Sequence, residues 1–136
     1  MTAFPLTIVT PDGVQFDGQA EQLIVRTVSG DMGVLAGHEN IVCPLGMGQA
    51  VIISNGEKRT AACIGGILTV LGGNVRLVPT TFEWADQIDL PRAEDAGRRA
   101  RQQMNAASDS AQLRLAEARL KRALVRDSVA RAYGRK

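Results

Sequence analysis

Two hydrophobic periods divide the chain. Up to about Thr81 the apolar positions belong to short strands: Leu6 and Ile8, then Val14 and Phe16, alternate with polar residues, and Leu23 to Val28 is rich in branched side chains. Alternation of this kind sets one face of a strand on a core and the other on solvent. Gln49–Ser54 runs into Asn55-Gly56 and then Glu57–Ile64. Asn-Gly between strand-like runs predicts a hairpin, because both residues tolerate the positive φ of a type I′ turn. Ile67–Leu71, Gly72-Gly73-Asn74 and Val75–Val78 predict a second hairpin on the same grounds. Turn signals recur every eight to twelve residues without a helical period, which predicts an antiparallel β-sandwich or flattened barrel.

From Asp89 the period changes. Asp89 suits an N-cap, and Pro91 in the first turn forfeits no hydrogen bond there. Ala93, Ala96, Ala100, Met104 and Ala107 recur at spacings of three and four, predicting a helix with a narrow face of small residues. Ser108-Asp109-Ser110 breaks it and supplies caps for a second helix. That helix's stripe is Leu113, Ala116, Leu120, Ala123 or Leu124, and Val129 or Ala130. Two helices across so short a break read as an antiparallel hairpin. Alanine methyls bury little area at about 25 cal/mol per Å². The hairpin is thus either a weakly held element fit for switching or an ordinary appendage, and the pattern leaves both open.

Charge sharpens this division. In 136 residues the formal net charge is +2. Residues 1–82 hold four basic side chains (Arg26, Lys58, Arg59, Arg76) against six acids, whereas residues from Arg98 onward hold eleven against three. The basic end suits an acidic partner. Cys43 and Cys63 form no C-x-x-C, and with His38 as the sole histidine no zinc site is expected. Two free thiols in a reducing compartment are expected instead. The N-terminal residues lack the basic and apolar regions of a secretory signal, so none is expected. Ala61–Gly73, the least polar stretch, is too short and glycine-rich to span a bilayer of about 20 helical residues. A soluble protein is expected, with any membrane association made through a partner.

Three segments carry a resemblance to a known family. Gly30-Asp31-Met32-Gly33-Val34-Leu35-Ala36-Gly37-His38 resembles a G-x-x-G-[IV]-L-P-G-H loop, and Gly65-Gly66-Ile67-Leu68-Thr69-Val70 resembles a G-G-[FI]-L-x-V strand. Glu83-Trp84-Ala85-Asp86-Gln87-Ile88-Asp89, with Leu90-Pro91-Arg92-Ala93 after it, resembles a junction ending in [IL]-D-x-x-R-A. In this order, before an Ala- and Arg-rich hairpin, they are similar to the epsilon subunits of bacterial F-type ATP synthases. Ala36 in place of proline and Glu39-Asn40-Ile41 in place of Ala-Pro-Leu depart from that pattern.

The resemblance implies a β-sandwich of about ten strands over residues 1–85 and a regulatory helical hairpin over 86–136. It implies a non-catalytic rotor subunit, peripheral to the cytoplasmic face of the bacterial membrane. The implied partners are the gamma subunit, the c-ring and the beta (and alpha) subunits. In the family the hairpin lies folded on the sandwich or extends up the stalk, where basic residues approach an acidic beta segment and block hydrolysis. The matching residues here are Arg114, Arg119, Lys121, Arg122 and Arg126. The Gly30–His38 loop lies toward the rotor, which marks Asp31, Gly33 and His38 as contact candidates. As a general base His38 would need an activated nucleophile close by, and the sequence supplies none at a suggestive spacing.

Some members of the family bind ATP through the Ile88–Ala93 motif and hairpin arginines. This implies a regulatory site of Glu83, Ile88, Asp89, Arg92, Ala93, Arg99, Arg122 and Arg126, with no cofactor required for chemistry. A plain helix start, Asp89 capping and Arg92 solvated, accounts for the same residues. About a tip near residues 107 and 108, facing positions sum to about 215 at equal rise per residue. Arg122 and Arg126 are then expected opposite Asp89 and Arg92, with Arg99 a heptad on. Four guanidinium groups around one carboxylate invite an anion. Without a glycine-rich phosphate loop or a magnesium-binding Ser or Thr, such a site would sense ATP rather than hydrolyse it. Nucleic-acid binding by the basic helices is the alternative, weakened by few aromatics and no base-reading surface.

Overall fold

The computed structural model describes residues 2–134. Ten strands are followed by a 3₁₀ turn and two helices. Backbone contacts divide the chain into two units, one ending at Trp84 and the other beginning at Ala85.

The first unit is a sandwich of two five-stranded sheets. One sheet holds β1 (Phe4–Thr10), β2 (Gly13–Ala20), β5 (Ile41–Pro44), β8 (Ile67–Leu71) and β9 (Asn74–Val78), in the order β2-β1-β9-β8-β5. The other holds β3 (Gln22–Thr27), β4 (Gly30–Val34), β6 (Met47–Ser54), β7 (Glu57–Ile64) and β10 (Thr81–Trp84), in the order β10-β7-β6-β3-β4. Strand alternation aims Leu6, Ile8, Leu23, Val25, Ile52, Leu68 and Leu77 into a common core, each almost fully buried. Both expected hairpins form. Asn55 and Gly56 take φ of 54° and 75°, and Gly72 and Gly73 take 57° and 84°.

The expected antiparallel sandwich forms, with one parallel pairing within it. β1 and β9 pair in parallel, Leu6 with Val75 through Ile8 with Leu77. The intervening chain passes through the other sheet and returns, and local turn signals carry no record of that closure. Part of the Gly30–His38 segment is also strand rather than loop, since β4 pairs with β3 from Thr27↔Gly30 to Leu23↔Val34.

In the second unit a 3₁₀ turn (Ala85–Gln87) leads into α1 (Leu90–Ala106) and α2 (Ser110–Tyr133). Asp89 caps α1 by accepting from Arg92 N–H at 3.1 Å. Asp109 caps α2 by accepting from Gln112 N–H at 2.8 Å. Gln112 Oε1 in turn accepts from Ser108 N–H and Oγ at 2.9 and 3.0 Å, so the break between helices is held by its own side chains. The seam buries Ala93 and Ala100 of α1 and Ala116 and Ala123 of α2. Leu113 and Leu124, expected on that stripe, are 38% and 45% exposed. Alanine permits backbones to approach closely, which leaves the bulkier leucines at the rim.

Candidate functional site

The candidate nucleotide residues start from the end of the sandwich. Glu83 lies half-buried on β10, opposite Ala62 of β7. Ile88 closes the 3₁₀ turn, its N–H reaching Ala85 O at 3.4 Å. Asp89 spends one carboxylate oxygen on the α1 cap, and Ala93 is buried in the seam.

The register of the hairpin differs from simple counting. A Cβ built on Gly97 lies 3.8 Å from Ala123 Cβ. Arg119 Nη1 donates to Gln103 Oε1 at 3.0 Å, and Arg131 Nη2 to Glu94 Oε2 at 2.8 Å. These partners lie about one and a half to three turns further along α2 than a count of equal rises gives. The tilt of every Cα–Cβ bond toward its own helix N-terminus contributes roughly one residue of this offset. The backbone supplies the rest, because the Gly97–Ala123 approach centres the pairing near residue 110 rather than at 107 and 108. In an antiparallel pair, α1 side chains lean away from the tip and α2 side chains lean toward it. Contacts are therefore displaced, and the direct opposition of Asp89 and Arg92 to Arg126 and Arg122 is replaced by a shared flank.

That flank follows from one bond and the helical period. Arg92, Arg99 and Gln103 are spaced by seven and four, so they lie along one side of α1. Arg119, Arg122 and Arg126 are spaced by three and four and occupy one side of α2. The Gln103–Arg119 bond joins these two sides. Arg92 and Arg99 are exposed and Arg122 and Arg126 half-buried. Arg99 also pairs with Asp95 at 3.5 Å, on the outward face of α1.

Two residues of the expected inhibitory set lie elsewhere. Arg114 and Lys121 each precede a seam alanine (Ala116, Ala123) by two positions, about 200° around the helix. Both are exposed on the face turned from α1. The opposite flank holds a cleft of about 200 Å³ between the helices, lined by Glu94, Arg98, Arg101, Leu124 and Asp127 with seam residues beneath. At its end Arg131 bonds Asp127, four residues back, as well as Glu94. The guanidinium pKa rises above its usual value through the Asp127 hydrogen bond first, then the attraction of Asp127 and Glu94. Sequence reasoning passed over this flank, although the i, i+4 spacing of Asp127 and Arg131 was readable.

The expected rotor contacts gather at the outer strand of one sheet. Asp31 and Gly33 are exposed on β4, which has a neighbour on one side alone. Asp31 Oδ1 accepts from Arg26 Nε at 2.6 Å across the β3–β4 pair, which raises the Arg26 pKa. Gly48 makes room for Arg26, since a Cβ there would meet Arg26 Cβ at 2.6 Å. His38 follows β4, its Nδ1 2.7 Å from Glu39 O and its N–H 3.2 Å from Leu35 O. Among the described residues no group of three or more His, Cys, Asp or Glu is placed to hold a metal. Among them, too, no helix is long and apolar enough to cross a membrane.

Residues 3–85 match the model of the ATP synthase delta/epsilon chain β-sandwich domain. An ATP synthase epsilon chain of Ruminococcus albus is 40% identical over 131 residues, 96% of this chain and 98% of the relative. One of Shouchella clausii is 36% identical over 98% of this chain and 99% of the relative. A chain in the cryo-EM structure of the Euglena gracilis mitochondrial ATP synthase OSCP/F1/c-ring superposes with a TM-score of 0.81 at 25% identity. The match covers 97% of this chain and 82% of that one. A chain of the Tetrahymena thermophila mitochondrial ATP synthase central stalk and c-ring shares the fold, with a TM-score of 0.70 at 13% identity over 93% and 95% of the two chains.

Proposed function

The chain belongs to the family of ATP synthase epsilon chains, non-catalytic subunits of the rotary enzyme, and on that premise we propose that its helical hairpin restrains ATP hydrolysis and is held closed by ATP. The sandwich binds the gamma subunit and the c-ring, with Asp31, Gly33 and His38 toward the rotor. The protein sits peripherally at the cytoplasmic face of the bacterial membrane, bound there through the complex. When the hairpin opens, its basic residues approach the acidic segment of a beta subunit and oppose rotation in the hydrolysis direction. The comparisons give nucleic-acid binding no support.

The observation that carries this reading is the arginine flank joined by the Gln103–Arg119 bond. Arg92, Arg99, Arg122 and Arg126 lie on it, with Asp89 at its end. Guanidinium groups that share one side suit a polyanion, and a triphosphate there gains charged hydrogen bonds of roughly 1.5–3 kcal/mol each before desolvation. The flank is continuous only while α1 and α2 lie together. ATP therefore binds the closed hairpin in preference to the open one, and linkage shifts the population toward closure. Low ATP releases α2 to act.

The outer face adds a division of labour. Arg114 and Lys121 point away from the seam in either state, whereas Arg119, Arg122 and Arg126 belong to the ATP flank when closed and to the beta contact when open. The test is the ATPase rate of the assembled synthase at low ATP. Removing residues 90–136 should raise that rate while leaving assembly and proton coupling intact. An unchanged rate would refute the restraint.

A further inference from the structure

The arginine flank offers its ligand a reason to close the hairpin, but the structure already holds an anion pair on the opposite flank. We propose that Glu94 and Asp127, acting together on Arg131, form a clasp that keeps α1 against α2 without any ligand.

The geometry gives each residue its part. Asp127 and Arg131 are one turn apart on α2, and the carboxylate fixes the Nε edge of the guanidinium. The planar guanidinium then presents Nη2 to Glu94 of α1 at 2.8 Å. Asp127 is the positioning residue, and the Arg131–Glu94 bond crosses between the helices. The bond also sits far from the pivot. Glu94 lies twelve residues before the end of α1, about 18 Å along the helix from the turn. A bond at the open end of a two-helix lever resists separation more effectively than one beside the tip.

The seam makes such a contact matter. Its buried residues are mainly alanine, and Gly97 faces Ala123 across it, so little apolar area favours closure. Exposed ion pairs are individually weak and screened by salt. Against so small an apolar contribution, a weak pair still shifts the balance between closed and open. The two flanks then act in parallel: Glu94 and Asp127 set the closure present without nucleotide, and ATP adds to it on the other side.

This inference rests on the hairpin being the moving part, and its test needs neither nucleotide nor the complex. In the full chain carrying Cys43→Ser and Ala123→Cys, maleimide labelling of the seam thiol reports opening. Glu94→Gln and Arg131→Gln should each speed labelling about two- to fivefold at low salt, the range open to an exposed pair. The double variant should label no faster than the faster single, and high salt should bring wild type toward the variants. Asp95→Asn, which breaks pairs within α1 alone, should leave the rate unchanged. Rates equal to wild type, multiplicative effects in the double variant, or the same acceleration from Asp95→Asn would overturn the clasp. The same substitutions without the reporter, followed by thermal loss of helix, give a second reading with the same expected order. If labelling behaves as expected while truncation leaves the synthase ATPase unchanged, the clasp stands and the inhibitory reading falls.

Discussion

Arg119 Nη1 donates to Gln103 Oε1 at 3.0 Å across the hairpin, and this bond determines which arginines share a side. Arg122 lies on that side, and Arg114 faces away from α1. Arg122→Ala should weaken ATP binding by the worth of a charged hydrogen bond, about 1.5–3 kcal/mol, or about 10- to 150-fold in Kd. Arg114→Ala should leave ATP binding intact while relieving inhibition of the assembled enzyme. A thermal-shift titration with ATP, beside one with ADP, measures the first effect, and the ATPase rate at low ATP measures the second. Equal loss of the ATP-dependent shift in both variants would contradict the division between flank and outer face.

Gly66 tests the sandwich alone. It takes φ of 93°, and a Cβ there would meet Val78 O at 2.0 Å and Pro79 Cα at 2.6 Å. Both neighbours are backbone and cannot swing aside. Gly66→Ala should cost about 3 kcal/mol or more in unfolding free energy, through strain and clash together. Urea denaturation read by Trp84 fluorescence measures it. Trp84 reports on this unit well, because its ring is buried between an edge contact from Phe82 at 4.9 Å and Arg59 at 3.6 Å.

Cys63 gives a pH test with a definite sign. Burial pushes its thiol up to about 12, from a value near 9 when unfolded. Below the unfolded value both states hold the proton and stability is unaffected. Between about 9 and 12 the unfolded chain loses the proton that the folded chain keeps, so the Cys63 contribution lowers stability as pH rises. Cys63→Ala should flatten that fall, and at pH 8 the native Cys63 thiol should resist a maleimide that labels it readily once the chain is unfolded.

The sequence carried the local features of this fold because local features have local causes. Asn55-Gly56 and Gly72-Gly73 announce hairpins through backbone freedom, and Asp89 announces a helix through its cap. The parallel pairing of β1 with β9 depends on strands nearly seventy residues apart, and no turn signal encodes it. The hairpin register was misjudged for a different reason. Counting from a tip at residues 107 and 108 misplaces the centre of the pairing, which the Gly97–Ala123 approach puts near residue 110. Arg92, Arg99, Arg122 and Arg126 could be grouped from their spacing. Which side the second helix turns toward them required the Gln103–Arg119 contact.

The same Gly97–Ala123 approach supplies the most direct test of the account, which holds that the hairpin must open to restrain hydrolysis. Cβ positions 3.8 Å apart match the usual separation in a disulfide. Gly97→Cys with Ala123→Cys, in a Cys43→Ser background, should staple α1 to α2 when oxidised. In the assembled synthase at low ATP, oxidation should raise the ATPase rate to that of the enzyme lacking residues 90–136, and reduction should restore inhibition. An oxidised enzyme as strongly inhibited as the reduced one would contradict the account.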